Sequence, residues 1–380
     1  MIRILLSPSA FYPSLGGVEE ICRNLAHRLA AKNFEVAVAV NRHPTSLPDH
    51  EEIESIDVHR FAFEYPSKTV SGLGPVFRFP HNTKNYLAFV KSFAPDLVHL
   101  ICPSSNSLYG YVAMELLKQK TLVTLQGEFF MDMNGLYDRS AFARLCASKL
   151  LHKANGVTAC SQYVMDDAKR RFNFNAPIEQ VVFNGVDLAE NSLTASLKPH
   201  SRPFIFAIGR LVKNKGFDWL LRAFKRLTET QTEVDLILAG DGEERQNLEA
   251  LSKELSLSER VHFLGRQGRA QVSDLFKSCL FFVLPSPVEP FGIVCLEAMR
   301  AGKPLIATNT GGPPEFVRDH VDGLLVPPED DVSLFQAMDQ LCSSKESQAL
   351  FGRNALDQVQ GFDWQKITDQ YIELYKQILN

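Results

Sequence analysis

The sequence has 380 residues, too many for one ordinary hydrophobic core and suited to two domains. A hydrophobic fraction of 45% with a charged fraction of 22% excludes a disordered or fibrous chain. The formal net charge of −4 gives no sign of a nucleic-acid-binding protein.

The first half of the chain alternates short apolar runs with longer stretches of helical periodicity. The run that begins at Met1 is far too short for a signal peptide or a membrane span, and it predicts a buried first strand. The predicted strands cover residues 2–6, 35–40, 97–101, 121–125, 157–160 and 181–183, and the predicted helices lie near 17–32, 83–93, 107–119, 140–153 and 161–171. Continuous apolar strands separated by helices indicate a parallel sheet with both faces covered.

The pattern restarts in the second half, after a turn at residues 184–187 and a polar stretch to Pro203 that we interpret as an interdomain linker. The predicted strands cover residues 204–208, 235–239, 261–263, 280–284, 305–307 and 324–326, and the predicted helices lie near 217–230, 243–256, 271–278, 292–301, 331–343 and 364–379. We therefore expect an α/β protein of two Rossmann-like domains, residues 1–185 and 200–360. Parallel sheets bind ligands at the carboxyl ends of their strands, and two such domains facing each other form a central cleft.

The seven cysteines form no C-x-x-C pair and mostly lie in apolar runs. Zinc sites and disulfide frameworks therefore lack support, because a reduced cysteine in such a run packs as a small hydrophobic residue. We expect a cytoplasmic protein.

The loop after the first predicted strand contains Gly16 and Gly17, directly before a predicted helix. Glycines let backbone amides approach an anion, and a helix N-terminus favours negative charge. A plain tight turn is the alternative. The loop is neither a G-x-G-x-x-G nor a Walker sequence, which argues against dinucleotide oxidoreductases and P-loop enzymes.

The loop after predicted strand 204–208 contains Gly209, Arg210 and Lys215. Two cations at the carboxyl end of a strand, beside a helix N-terminus, suit a diphosphate and can stabilise its growing charge as it leaves. A solvated basic loop is the alternative. Gly240 and Asp241, after the next strand, form either a second ligand loop or a simple turn.

The sharpest signal is a pair of glutamates eight positions apart, Glu289 and Glu297, with Pro-Phe-Gly between them. The backbone amides of residues 291–294 lie at a predicted helix start, where they can point at a sugar or a phosphate. Carboxylates at both ends can bind hydroxyl groups of a sugar and a ribose. Ordinary surface charges on a helix are the alternative, but they leave Pro-Phe-Gly unexplained.

The segment 289–297 resembles the E-x7-E motif of retaining GT-B glycosyltransferases of family 4, the glycosyl transferases of group 1. The surrounding order is similar over nearly the whole chain, with N-G-V-D, G-R-L, K-G, G-D-G, F-L-G, P-S, G-G-P-P-E and D-G-L-L-V in succession. The resemblance implies a GT-B fold and transfer of a hexose from a nucleotide sugar to a saccharide or lipid-linked acceptor. Family frequency favours a UDP-hexose such as UDP-glucose over GDP-mannose.

The resemblance also implies a role for each matching residue. Arg210 and Lys215 hold the donor diphosphate, Glu289 contacts the transferred sugar, and Glu297 binds the ribose. The other implied donor contacts are Gly16, Gly17, Gly209, Gly240, Asp241, Arg266 near the nucleobase, and the amides of Phe291, Gly292, Ile293 and Val294. The last helix, residues 361–380, is implied to cross back onto the first domain.

The sequence departs from the family at Gln126, where members often carry a histidine. A glutamine cannot take up a proton but can hydrogen-bond a hydroxyl, so we expect it to orient the sugar. Glu128 is either a catalytic carboxylate or a solvated loop residue, and His99 is expected to cap or pack within its strand. These side chains supply no obvious nucleophile or base.

Retention without an enzymic nucleophile suggests attack on the face from which the diphosphate leaves, with the diphosphate accepting the proton. Because the sequence contains no D-x-D, no metal is expected to bridge the diphosphate, and no other cofactor is expected. The alternatives that remain open are a sugar-nucleotide epimerase, a phosphorylase that needs pyridoxal phosphate, and a non-catalytic nucleotide-sugar-binding protein.

Residues 139–153 combine four basic side chains with several apolar ones and contain no acid. Such a helix can lie against anionic lipid beside a lipid-linked acceptor, as a peripheral contact with the inner face of the membrane. A core helix with a solvated basic face is the alternative.

Overall fold

The computed structural model describes residues 1–14, 16–65, 74–131, 135–189 and 200–380. The chain forms two compact units, the first made of Met1–Asn184 and Trp364–Asn380 and the second of Gly185–Asp363. Residues 190–199 of the predicted linker lie outside the described residues.

The strands of the first unit are β1 (Arg3–Pro8), β2 (Glu35–Asn41), β3 (His50–Ile53), β4 (Ile56–Phe61), β5 (Leu97–Ile101), β6 (Thr121–Leu125), β7 (Gly156–Ala159) and β8 (Glu179–Val181). Those of the second unit are β9 (Phe204–Ile208), β10 (Asp235–Ala239), β11 (Val261–Gly265), β12 (Phe282–Leu284), β13 (Leu305–Thr308) and β14 (Gly323–Val326). The helices in chain order are α1 (Gly17–Ala31), α2 (Gly74–Phe93), α3 (Ser105–Leu117), α4 (Leu136–Arg139), α5 (Ala141–Lys153), α6 (Gln162–Phe172), α7 (Phe217–Thr230), α8 (Arg245–Glu254), α9 (Arg269–Ser278), α10 (Ile293–Arg300), α11 (Asp331–Ser343), α12 (Lys345–Val359) and α13 (Trp364–Leu379).

The sheet of the first unit has the strand order β3-β4-β2-β1-β5-β6-β7-β8, and its pairings are parallel except for the β3–β4 hairpin. The order reverses at the β1–β5 pair, and such a reversal is where open α/β sheets bind ligands. Every residue of β5 and β6 is buried, as continuous apolar strands of a covered parallel sheet should be.

The sheet of the second unit has the order β11-β10-β9-β12-β13-β14 and is entirely parallel. When its strands are numbered within the unit, the order is 3-2-1-4-5-6, which is the strand order of a Rossmann fold. The order reverses between β9 and β12. Helix α7 packs on the sheet through a buried stripe at helical spacing, formed by Phe217, Leu220, Leu221, Phe224 and Leu227.

Helix α13 completes the core of the first unit. Its buried face includes Trp364, Ile367, Tyr371, Leu374 and Tyr375, and it packs against α1. The helix therefore contributes to the same core as strands that precede it by more than 200 residues.

Several predicted elements have the predicted bounds, among them β5, β6, β9, β10, α7 and α11. The prediction was wrong for strand 181–183, which is Glu179–Val181, and for helix 83–93, which begins at Gly74. Strands β3 and β4 and helix α12 were not predicted. All seven cysteines are free thiols. Among the described residues, no helix combines the length and apolar character needed to cross a bilayer.

Candidate functional site

Two loops meet at the strand-order reversal of the second unit. The loop after β9 contains a short 3₁₀ turn, Lys213–Lys215, and the loop after β12 leads to α10. They bring Lys215 Nζ to 2.7 Å from Glu289 Oε2, and the two side chains are only 15% and 13% exposed. Two site residues that were predicted from separate motifs thus form one nearly buried ion pair.

Glycines make this arrangement possible because the loops touch through their backbones. Gly216 has φ +68°, and a Cβ atom there would lie 2.2 Å from the carbonyl oxygen of Pro285. Gly240 has φ +121°, and a Cβ atom there would lie 1.9 Å from the carbonyl oxygen of Gly209. Larger residues would push these loops apart and move Lys215 away from Glu289.

The backbone of Glu289 is held by a neighbouring loop. Gly312 N–H donates to the Glu289 carbonyl oxygen at 2.8 Å, and a Cβ atom on Gly311 would lie 2.1 Å from that oxygen. The sequence shows this Gly-Gly pair within G-G-P-P-E, but its contact with Glu289 joins segments that no local pattern connects.

Helix α10 begins beside the ion pair. Gly292 is its N-cap residue, in the left-handed region at φ +89°, and provides no side-chain cap. The first amides of a helix have no acceptor within the helix, so those of Ile293 and Val294 are suited to an anion or a sugar hydroxyl. Phe291 is buried against Phe316, with ring centroids 4.7 Å apart, which fixes the chain entering the helix. Glu297 is half-buried one turn further on.

Three predicted donor residues lie exposed after neighbouring strands. Arg210 follows β9, Asp241 follows β10 and Arg266 follows β11. Asp241 accepts a hydrogen bond from the Gly242 amide at 2.9 Å, while Arg210 forms no ion pair within the described part of the chain. These residues lie at the same carboxyl edge of the sheet as Lys215 and Glu289, but they are not part of the ion pair.

In the first unit, Gly16 and Gly17 are exposed at the start of α1. The first turn of this helix carries Glu19 and Glu20, and Glu19 accepts a hydrogen bond from Ser14 Oγ at 2.6 Å. A carboxylate therefore already lies where the sequence predicts that an anion binds, and anion binding at these glycines stays a prediction.

Gln126 lies at the end of β6 and forms a reciprocal amide pair with Asn184. Gln126 Nε2 donates to Asn184 Oδ1 at 3.1 Å, and Asn184 Nδ2 donates to Gln126 Oε1 at 2.9 Å. Sequence reasoning gave Asn184 no role in the site, because it used the N-G-V-D segment as a turn and as a family motif only. The pair engages both ends of the Gln126 amide and holds its plane against Asn184.

The carboxyl of Glu128 folds back on the same loop. The Gln126 backbone N–H donates to Glu128 Oε2 at 2.7 Å, and Oε1 is buried without a hydrogen-bond partner among the described residues. Burial raises the pKa of Glu128 to about 8, so the carboxyl is mainly protonated at neutral pH. The interpretation of Glu128 as a solvated loop residue is therefore wrong.

His99 packs within the core, as predicted. Its Nδ1 lies 2.8 Å from the Tyr375 hydroxyl and its Nε2 lies 2.6 Å from Thr124 Oγ1. Burial lowers its pKa to about 3, so the imidazole is neutral at physiological pH.

Comparisons with known proteins agree with this architecture. Residues 15–190 match the family model Glycosyltransferase Family 4, and residues 189–358 match the model Glycosyl transferases group 1. The uncharacterized glycosyltransferase MJ1607 of Methanocaldococcus jannaschii is 25% identical over 376 residues, which are 95% of this chain and 94% of that protein. The lipopolysaccharide core biosynthesis glycosyltransferase LpsE of Rhizobium meliloti is 34% identical over 177 residues, which are 46% of this chain and 50% of that protein.

A solved structure extends the agreement to the fold. Anabaena Alr3699/HepE in complex with UDP and glucose matches with a TM-score of 0.80 and 21% sequence identity. The match covers 99% of this chain and 100% of that chain. The prediction of two parallel-sheet units of the GT-B type is confirmed.

Proposed function

The chain belongs to the glycosyl transferases of group 1, and from this premise we propose that it moves a hexose from a nucleotide sugar to a saccharide acceptor with retention of the anomeric configuration. The observation that carries the proposal is the Lys215–Glu289 ion pair at the strand-order reversal of the second sheet. Open α/β sheets bind nucleotides at this position.

The ion pair has the chemistry that a sugar diphosphate requires. The Lys215 ammonium binds the diphosphate and stabilises the charge that develops as the phosphate bond to the sugar breaks. Glu289, released from Lys215, accepts hydrogen bonds from sugar hydroxyls. Exposed Arg210 supplies the second cation.

The start of α10 completes the proposed donor site. The amides of residues 291–294 bind sugar hydroxyls and phosphate oxygens, because the helix N-terminus presents donors and a partial positive charge. Glu297 binds the ribose hydroxyls, and Arg266 lies near the base. Gly292 adopts the left-handed conformation, at φ +89°, in which the chain enters this helix.

The side chains near β6 support the proposal of retention. Gln126 cannot take up a proton, and Glu128 is mainly protonated at neutral pH, so neither is suited to act as a base. We infer that the acceptor attacks the face from which the diphosphate leaves, and that a diphosphate oxygen takes the acceptor proton. Gln126 then orients a sugar hydroxyl.

The proposed chemistry does not use a metal. The two groups of His and Asp side chains that could hold an ion, among the residues described, are His50, Asp57 and His59 and also His200, Asp235 and His262. The second group lies at the amino ends of β9–β11, at the opposite edge of the sheet from Lys215. Lys215 and Arg210 therefore carry the diphosphate charge in this proposal.

The proposed donor is a UDP-hexose, and UDP-glucose is the first candidate. Support comes from Anabaena Alr3699/HepE, a protein of the same fold that was solved with UDP and glucose. A saccharide or lipid-linked acceptor is supported by LpsE, the lipopolysaccharide core glycosyltransferase that this chain resembles over about half its length.

Helix α5 supports a peripheral contact with anionic lipid. Its side chains Phe142 and Leu145 are 44% and 52% exposed, and Lys149 lies one turn beyond Leu145 on the same face. Leu150 and Leu151 of the same helix are buried, so only one face is available. Sedimentation with anionic and with neutral liposomes tests the contact, and equal recovery of the chain in both supernatants would contradict it.

A panel of nucleotide sugars tests the donor. We expect UDP and UDP-glucose to raise the melting temperature and GDP-mannose to leave it unchanged, because a ligand at about 100 times its Kd stabilises the native state by about 2.7 kcal/mol. Proton NMR of the first product then reports the anomer. An α-glucoside supports retention, and a β-glucoside contradicts it.

The same samples distinguish a glycosyltransferase from two alternative functions. Conversion of the donor sugar without an acceptor would indicate a sugar-nucleotide epimerase. Binding of UDP-glucose with neither transfer nor slow hydrolysis would indicate a non-catalytic binding protein.

A further inference from the structure

A second set of polar side chains lies on one face of the β3–β4 hairpin, far in the sequence from the proposed donor site. The two strands are antiparallel, with His50 opposite His59 and Glu52 opposite Asp57. Side chains at alternate positions of a strand point to the same face. The register therefore places two imidazoles and two carboxylates on a single face of a hairpin.

Three of these side chains already converge. His50 Nε2 lies 2.7 Å from Asp57 Oδ1, and His59 Nε2 lies 3.0 Å from Asp57 Oδ2. One ligand atom from each of the three lies within 4.8 Å of the other two. Ligand atoms around a tetrahedral Zn²⁺ ion with bonds of about 2.0–2.1 Å are about 3.3 Å apart, so small rotations would suffice.

The His59 ring is held in place before any ion binds. It stacks on His50 at a centroid distance of 4.4 Å, and on its other side it contacts Phe89 of α2 at 4.2 Å. A ligand whose ring is oriented by packing loses little conformational entropy when a metal binds.

A cation would stabilise the two carboxylates on this hairpin face. Like charges directly opposite each other on a sheet are destabilising, and Glu52 lies opposite Asp57. The nearby arginines pair with other acids, Arg3 with Glu35, Arg60 with Glu51 and Arg42 with Asp49. A dication between the two carboxylates would offset this repulsion.

We propose that this hairpin face binds a divalent transition-metal ion, preferably Zn²⁺, through His50, Asp57 and His59, with Glu52 as the fourth ligand. Two imidazoles with carboxylates form a donor set that Zn²⁺ accepts in tetrahedral geometry. A depression beside the face, lined in part by Asp57, His59 and Ser92, gives the ion access to these ligands from solvent.

The ion would join an edge strand to its neighbour. Strand β3 is four residues long and, among the strands that the structure describes, pairs with β4 alone, so it is weakly bound to the sheet. The site lies near the amino ends of β1 and β2, since Asp57 pairs with Ala37 and the Arg3–Glu35 pair is adjacent. Its role is therefore structural and independent of sugar transfer.

The other His–Asp–His group is a poorer metal site. Asp235 is also bound by Arg260, at 2.9 Å, and lies 3.5 Å from Arg202. These guanidinium groups repel a cation and occupy the carboxylate that would bind it. We therefore expect metal to bind at the group of Asp57 and not at the group of Asp235.

Titration of the full chain, stripped with a chelator, tests the proposal. We expect ZnCl₂ to bind at one ion per chain in calorimetry, and CoCl₂ to give the visible absorption of four-coordinate Co²⁺. His50→Ala and His59→Ala should each weaken Zn²⁺ binding at least 10-fold, and Glu52→Gln should weaken it less. His320→Ala is the matched control, because His320 is exposed and has a single acidic neighbour, Asp319.

The outcome is decisive in either direction. Unchanged Zn²⁺ binding in a His50→Ala/His59→Ala double variant, or loss of binding in His262→Ala instead, would overturn the site. A wild-type chain that takes up no Zn²⁺ would overturn it too. Because His50 and Glu52 are exposed on an edge strand, their replacement leaves the core of the first unit intact.

Discussion

Single side chains make the donor proposal testable. Lys215→Ala is expected to lower turnover by roughly 100-fold or more, because it removes a charge that stabilises the leaving diphosphate. Steady-state transfer rates measure the effect. Lys213→Ala is the matched control, since Lys213 lies exposed in the same 3₁₀ turn. Near-normal turnover of the Lys215 variant would reject the role.

Glu128 gives a prediction about pH. Its pKa is about 8 in the folded protein and 4.5 ordinarily, because burial disfavours the charged form. Between these values the unfolded chain loses the proton that the folded chain keeps. The free energy of unfolding therefore falls as pH rises, by up to about 1.4 kcal/mol per pH unit, and levels off above about pH 8.

Glu128→Gln removes this dependence, because a glutamine is neutral at every pH. The variant should melt higher than the wild type by a margin that grows from pH 5 to pH 8, as followed by thermal denaturation. Glu243→Gln, at an exposed position, should show no such growth. A constant margin for Glu128→Gln would mean that the carboxyl ionises normally.

Some residues of the site could be nominated from the sequence, and others could not. The Pro-Phe-Gly segment between Glu289 and Glu297 is local, so its unusual pattern is visible in the chain. Asn184 lies 58 positions from Gln126 and joins it only through the folded sheet. The burial of Glu128 was equally invisible, because exposure depends on residues from other elements.

At the scale of elements, a hydrogen bond between Tyr375 and His99 links α13 to strand β5 of the first sheet. Tyr375→Phe leaves the buried His99 Nδ1 without its partner, which should cost about 1–3 kcal/mol of the free energy of unfolding. Thermal or denaturant unfolding measures the loss.

Tyr86→Phe is the matched control for this loss. The Tyr86 hydroxyl is buried and has no hydrogen-bond partner among the described residues, so its removal should be neutral or stabilising. Equal losses in the two variants would show that the His99 bond contributes nothing beyond packing.

Elements with continuous apolar runs were predicted well, whereas the polar strand at the edge of the first sheet was not. Strands β5 and β9 are wholly or largely buried, and apart from His99 their sequences are apolar. Strand β3 reads His-Glu-Glu-Ile and is partly exposed, which no hydrophobic pattern reveals. Helix α2 continues through Pro80, which lies exposed, so water can bond the carbonyl that the proline leaves free.

At the scale of the whole molecule, the first unit is discontinuous. Deletion of residues 364–380 should unfold this unit and leave the second one folded, because α13 belongs to the first unit and buries Trp364, Tyr371 and Tyr375. Hydrogen exchange followed by mass spectrometry would show fast exchange in β1, β5 and β6 and protection in β9 and β10. Protected first-unit strands in the truncated chain would contradict the expectation.

The discontinuity also sets an order of events during synthesis. When Asn184 leaves the ribosome, the first sheet still lacks its final helix, and the whole second unit must be translated before that helix is made. At about 5–20 residues per second this takes roughly 10 to 35 s, in which the later unit can fold first. The nascent chain therefore exposes apolar surface next to His99 for that interval, which is the kind of surface that chaperones recognise.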